Sequence, residues 1–127
     1  MSRRLNDLDR RFRPLAFELL ARCCEASIPV HIIDTLRTPE EHAENLAKGV
    51  SWTTRSKHLD GLAIDICPYD VYSMTGPDKL AWDANLAVWQ KIGPLGEALG
   101  LRWGGRWKVR DMGHFEFVEP EKKAQEV

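Results

Sequence analysis

Apolar positions near the N-terminus recur at helical spacing. Ala16, Leu19, Leu20 and Cys23 stand at i, i+3, i+4 and i+7, which predicts an amphipathic helix over about 9–26. Residues 30–35 read as a strand. The string TPEE then supplies a capping box, with Thr38 as N-cap, Pro39 at the first helical position and Glu41 three residues after the cap. That helix is expected to end near Gly49, with a loop over 50–57. At SKHLDGLAID (56–65) the period changes: Leu62, Ile64 and Ile66 alternate with Ala63, Asp65 and Cys67, as in a strand with two distinct faces. A second helical stripe of Trp82, Leu86, Trp89 and Ile92 predicts a long helix over 78–99, broken or kinked at Pro94 and stopped by Gly100. Its tryptophans are assigned to the core. Residues 101–103 start a last strand section, WGGRW turns, and 114–118 is a strand with Phe115 and Phe117 on one face and His114, Glu116 and Val118 on the other. The tail EPEKKAQEV (119–127) is expected to fray.

Helix, strand, helix, strand, helix, strands is the order of a small α+β domain, a mainly antiparallel sheet flanked by helices. No repeat or linker divides residues 1–127, so one domain is expected.

Charge and composition narrow the function. The net charge of −1 gives no electrostatic case for nucleic acid or an anionic membrane. No apolar run approaches the roughly 20 residues of a membrane span. The opening MSRRLNDLDRRFRPL lacks the apolar segment of a signal peptide, so synthesis in the cytoplasm is expected. Arginines 3, 4, 10, 11 and 13 are interleaved with aspartates and read as a solvated face. Of the three cysteines, Cys23 and Cys24 are adjacent and cannot readily bridge each other; both are assigned to packing, as is Cys67.

The candidate chemistry starts at Asp65. A carboxylate inside an apolar strand is costly unless a metal ion, an arginine or a hydrogen-bonded turn neutralises it. With His58 and His114 it makes a His/Asp/His set, and zinc takes such N and O ligands in catalytic sites while leaving a fourth position to water. In DMGHFE, Asp111 stands three residues before His114, close enough to act as a general base on that water. Glu116 shares the face of His114 and is the rival base, though better suited to fixing a ligand histidine. His31 is read as a surface histidine and His42 as structural. Gly61 and the pair Gly104–Gly105 are expected in tight turns at positive φ.

SKHLDGLAID fits S-x-H-x-x-G-x-A-x-D, and WGG-x-W is followed by D-x-x-H-F-E. With TLRTPEEH, these motifs resemble the zinc D-alanyl-D-alanine carboxypeptidase and phage L-alanyl-D-glutamate endopeptidase family over roughly 30–118. The resemblance implies the Hedgehog/DD-peptidase-like fold and zinc on His58, Asp65 and His114. It implies Asp111 as catalytic base, Arg37 contacting substrate or polarising the scissile carbonyl, and Ser56 lining the substrate site. Arg37 has Asp34 and Glu41 as alternative partners, but the motif favours the site role. The chain departs from the family where Arg106 replaces an acidic residue, Gly113 a proline and His42 a glutamine. Asp111 as base, with Gly113 before His114, favours the endolysin-like branch over carboxypeptidases and dipeptidases, which usually present a glutamate base followed by x-W-H. The implied activity is hydrolysis of the L-Ala–D-Glu bond of peptidoglycan stem peptides by a monomeric phage or prophage lysin, released to the wall by a holin-type partner. The alternatives are a D-Ala-D-Ala carboxypeptidase or dipeptidase of the same family, and a non-catalytic zinc-stabilised module that binds cell wall.

Overall fold

The computed structural model describes residues 2–49, 56–69 and 80–119. Within them α1 (Arg13–Glu25), β1 (Val30–Asp34), α2 (Pro39–Ala47), β2 (Ala63–Pro68), α3 (Trp89–Glu97), β3 (Arg102–Trp103) and β4 (His114–Glu116) follow in chain order. The strands form one antiparallel sheet in the order β1-β2-β4-β3. This is the expected α+β arrangement. Of the loop expected over 50–57 and the tail expected over 119–127, residues 50–55 and 120–127 lie outside the described residues. No helix among them is long and apolar enough to cross a membrane.

The sheet is held from its centre. β2 is buried along nearly its whole length, because Ile64 and Ile66 join Ala16, Leu19 and Cys23 of α1, Trp89 and Ile92 of α3, Trp103 of β3 and Phe115 of β4 in one apolar cluster. Burial at about 25 cal/mol per Å² drives this assembly, and register follows from which residues can enter it. The pairing sets Asp34 opposite Asp65, across a bulge in β1, and Asp65 opposite His114. Three polar residues therefore line up across the middle of an otherwise apolar sheet.

The N-terminal residues brace this core. Ser2 exchanges backbone hydrogen bonds with the segment after β1, accepting from Thr35 at 2.8 Å and donating to Leu36 at 3.1 Å. The Asp9 amide donates to the Gly61 carbonyl at 2.9 Å. Arg3, Arg4, Arg10 and Arg11 are exposed as expected, whereas Arg13 is half-buried and donates to the Leu8 carbonyl at 2.9 Å.

Several expectations are corrected. The first helix begins at Arg13 instead of residue 9: Asp9 accepts the Arg11 amide at 2.8 Å and holds the chain in a turn until then. The long helix of 78–99 is only Trp89–Glu97, and 78–79 lie outside the described residues. Asp83 explains the shortening. Its side chain accepts the Asn85 amide at 3.0 Å, and its carbonyl takes the Leu86 amide and the Trp89 indole N–H, both at 3.1 Å, bonds that compete with helix formation. Trp82 and Leu86 are consequently 45% and 38% exposed, not core. The helix passes through Pro94 to Glu97, and the turn after it closes at Gly100, φ +85°, with the Leu101 amide reaching back to the Gly96 carbonyl. Cys24 is exposed, while Cys23 and Cys67 are buried.

Trp89→Ala should cost about 3–5 kcal/mol of unfolding free energy, whereas Trp82→Ala should change it by no more than about 0.5 kcal/mol. Equal losses in urea titrations would return Trp82 to the core.

Candidate metal centre

His58 sits on a short 3-10 turn, Lys57–Asp60. Ser56 caps it, its hydroxyl accepting the His58 amide at 3.2 Å, so this side chain supports His58 from beneath. Gly61 ends the turn at φ +69°, and a Cβ there would lie 2.9 Å from the Asp9 amide nitrogen. Only glycine suits both constraints. Gly104 and Gly105 are not among the positive-φ residues, contrary to expectation. Gly104 is needed for close approach instead, since a Cβ would meet the Asp111 carbonyl.

The buried His58 ring donates Nδ1–H to the Thr35 carbonyl at 2.8 Å, which leaves a bare lone pair on Nε2. That nitrogen lies 3.1 Å from Asp65 Oδ2 yet has no hydrogen-bond partner. At this distance the two atoms need a proton or a metal cation between them. His114 closes the other side, its Nδ1 3.0 Å from Asp65 Oδ1 and its Nε2 2.9 Å from Glu116 Oε1. Glu116 thus engages the nitrogen remote from Asp65 and orients the ring, as expected of a residue that fixes a ligand.

One donor atom from each of His58, Asp65 and His114 lies within 4.8 Å of the others. Three N and O donors from two histidines and an aspartate are a set that suits a transition-metal ion such as zinc. The residues present fit the group.

Electrostatics agree. Burial opposes the Asp65 charge, but His58 and His114 outweigh it and hold the carboxyl well below its ordinary range. Burial also works against charge on His114, yet its bonds to Asp65 and Glu116 prevail and push it up to about 10. Asp111 moves the other way: loss of water first, then the negative charge of Asp65, raises its carboxyl. Its Oδ2 lies 3.9 Å from His114 Nδ1, and its loop is anchored by the Trp103 indole donating to the Met112 carbonyl at 2.7 Å.

Arg37 adjoins this group rather than entering it. Its Nε and Nη2 donate to Asp34 Oδ2 at 3.1 and 2.8 Å, its Nη1 contacts His42 Nδ1 at 3.2 Å, and its amide donates to the His58 carbonyl at 3.0 Å. The pairing with Asp34, foreseen as the alternative, is present. Its charge still lowers the Asp111 carboxyl. His42 is buried and His31 exposed, as expected. Arg106 makes a surface ion pair with Glu97 at 2.9 Å. The backbone amide of Ile66 donates to the Gly113 carbonyl at 2.9 Å, and a Cβ on Gly113 would strike the Ile66 carbonyl.

Three participants escaped the sequence reading. Asp34 Oδ2 is 4.0 Å from His58 Nδ1. The Thr35 carbonyl sets the His58 tautomer, and the half-buried Trp107 ring lies 5.0 Å from the His114 ring. The second tryptophan of WGG-x-W was the available signal for Trp107; a carbonyl leaves none.

The family model described as D-alanyl-D-alanine carboxypeptidase matches residues 49–117. The L-alanyl-D-glutamate peptidase of Listeria phage A118 is 32% identical over 115 residues, 89% of this chain and 39% of that protein. The enzyme of the same name from Escherichia phage T5 is 33% identical over 93 residues, 67% of this chain and 64% of its own length. This chain therefore spans well under half of the first relative and somewhat under two thirds of the second. Among solved structures, Serratia marcescens L-Ala D-Glu endopeptidase ChiX superposes with a TM-score of 0.72 at 21% identity, covering 93% of this chain and 86% of that one. The vancomycin-resistance D,D-pentapeptidase VanY, solved with Zn(II), gives 0.57 at 18% identity over 93% and 76% of the two chains. At these identities the likeness concerns the fold.

His114 keeps its proton up to about pH 10 without metal, but ligation needs a neutral imidazole. Uptake of a divalent transition metal at pH 7 should therefore release about one proton. The raised value also stabilises the metal-free fold fully below about 6.5, a contribution lost as pH rises through about 10. Calorimetry in buffers of different ionisation enthalpy reads the proton; heats that do not depend on the buffer would mean His114 is already neutral.

Proposed function

The chain belongs to the D-alanyl-D-alanine carboxypeptidase family, and from that premise we propose that it is a zinc peptidase that cleaves the L-Ala–D-Glu bond of peptidoglycan stem peptides. The observation that carries this reading is the pair of acceptors, His58 Nε2 and Asp65 Oδ2, held 3.1 Å apart with His114 on the other carboxylate oxygen and Asp111 beside it. A purely structural site has no need of a further carboxylate beside its ligands.

His58, Asp65 and His114 hold the metal. Bound there, zinc supplies Lewis acidity towards the scissile carbonyl and lowers the pKa of a water to about 7. Asp111 accepts the proton of the attacking water and delivers one to the departing amine. Its raised carboxyl suits both halves, because a base closer to the working pH is also a better acid. Arg37 contributes positive charge and donors to the substrate side. Ser56 acts by capping the turn that carries His58, and Trp107 offers an aromatic wall beside His114. The choice of bond rests on the two phage relatives and their names, and on Asp111 and Gly113 where carboxypeptidases usually differ. The enzyme acts on the cell wall as a monomer, after release by a membrane-permeabilising partner.

Mass spectrometry of fragments from purified peptidoglycan should show new amino-terminal D-Glu; loss of terminal D-Ala alone would make the enzyme a carboxypeptidase. The protein should hold about one zinc, lost in His58→Ala, Asp65→Ala and His114→Ala, and chelation should abolish activity until Zn²⁺ is restored.

Asp111→Asn should keep zinc and fold while turnover drops roughly 10²–10⁴-fold. Glu116→Gln should weaken zinc affinity and activity together, by about 10- to 100-fold. An active Asp111→Asn beside a zinc-loaded but dead Glu116→Gln would move the base to Glu116.

A further inference from the structure

Arg37 is gripped at two places by side chains from different elements. Asp34, at the end of β1, takes Nε–H and Nη2–H on one carboxylate oxygen, at 3.1 and 2.8 Å. His42, within α2, faces Nη1 through Nδ1 at 3.2 Å. Arginine can only donate, so this second contact is a hydrogen bond only when His42 Nδ1 is bare and its hydrogen sits on Nε2. All three side chains are buried. A guanidinium held along one edge and at one end can neither slide nor rotate about its long axis, so its plane is fixed.

The grip uses three of the five N–H groups that arginine carries. Among the described residues, two are left for another acceptor. The same group is tied to the metal centre through its backbone, which donates to the His58 carbonyl at 3.0 Å, and through Asp34, whose Oδ2 is 4.0 Å from His58 Nδ1. Its charge is also felt at the Asp111 carboxyl.

We propose that His42 and Asp34 are positioning residues for Arg37, fixing its guanidinium so that the two remaining N–H groups meet a carbonyl or carboxylate oxygen of the peptide substrate. The inference rests on the peptidase reading and adds to it a support reaching into α2. It makes His42 more than packing: its acceptor nitrogen, not its ring volume, is what the site requires. A donor that is aimed in advance loses little freedom when the substrate arrives, and errors of about 1 Å in such placement cost up to roughly 100-fold in rate.

Two substitutions separate the acceptor from the volume. His42→Phe keeps a ring of similar size and removes the acceptor; His42→Gln keeps an acceptor without a ring. On peptidoglycan fragments, His42→Phe should keep its zinc and lose roughly 10- to 100-fold in kcat with KM within about threefold, and His42→Gln should recover to within about fivefold of wild type. The second readout needs no catalysis. In ¹⁵N NMR, rotation about the Arg37 Cζ–Nη1 bond, the end that His42 holds, should be slow in wild type and His42→Gln but averaged in His42→Phe. Wild-type kcat together with slow rotation in His42→Phe would overturn the proposal. Should that variant not fold, Asp34→Asn, which weakens the opposite grip, should lower kcat and free the rotation about Cζ–Nη2, the end that Asp34 holds, and unchanged values would overturn it equally. A wild-type protein that cuts no stem peptide would sink the peptidase reading, and the NMR would still decide whether the clamp exists.

Discussion

Asp65 carries its carboxylate at the middle of the central strand, with one oxygen facing His58 and the other His114. A single acidic side chain between two imidazoles in an apolar sheet imposes strict conditions on its surroundings. Each ring must offer a lone pair or a proton on the inner side, which requires an outer partner to fix the tautomer. The Thr35 carbonyl does this for His58 and Glu116 for His114. Those partners come from β4 and from the residue directly after β1, so sheet register and the geometry of the two imidazoles are one constraint. Slipping β4 by one residue would turn His114 to the opposite face and bring Phe115 opposite Asp65.

The support spreads outward in order of sequence distance. His58 and Asp65 are neighbours joined by one turn, whereas His114 arrives across 49 residues. The long-range member is therefore the more heavily fastened. Its loop is pinned by the Trp103 indole, by backbone bonds between Asp111 and Gly104 and by the Ile66 amide on Gly113. Asp111 sits on that loop and shares its fastening.

Local signals made much of this legible in the sequence. The capping box at Thr38 and Glu41 closes as its residue types imply, with bonds of 3.1 and 3.2 Å. The candidate metal set stood out because Asp65 and His114 are out of place in apolar strands and so announce themselves by type. The failures have equally specific causes. Trp82 and Leu86 carried a helical stripe that Asp83 defeated with bonds available only in a turn. Asp34 reaches His58 through a strand pairing with a bulge, and no spacing in the chain reveals where a bulge falls. The engagement of Arg37 by Asp34 and His42 together depends on how α2 meets β1, a tertiary matter.

The pairing of Ser2 with Thr35 and Leu36, together with that of Asp9 with Gly61, bears on how this chain can be handled as a tool. Both bonds end on backbone adjoining the His58 support, one at the residue whose carbonyl orients the ring and the other at the glycine that closes its turn. An affinity tag or fusion partner joined ahead of Ser2 therefore pulls directly on the mounting of His58, a candidate metal ligand. Linker length at that junction becomes a variable of the site itself, and a spacer of several flexible residues is the minimum needed to isolate His58 from whatever is attached.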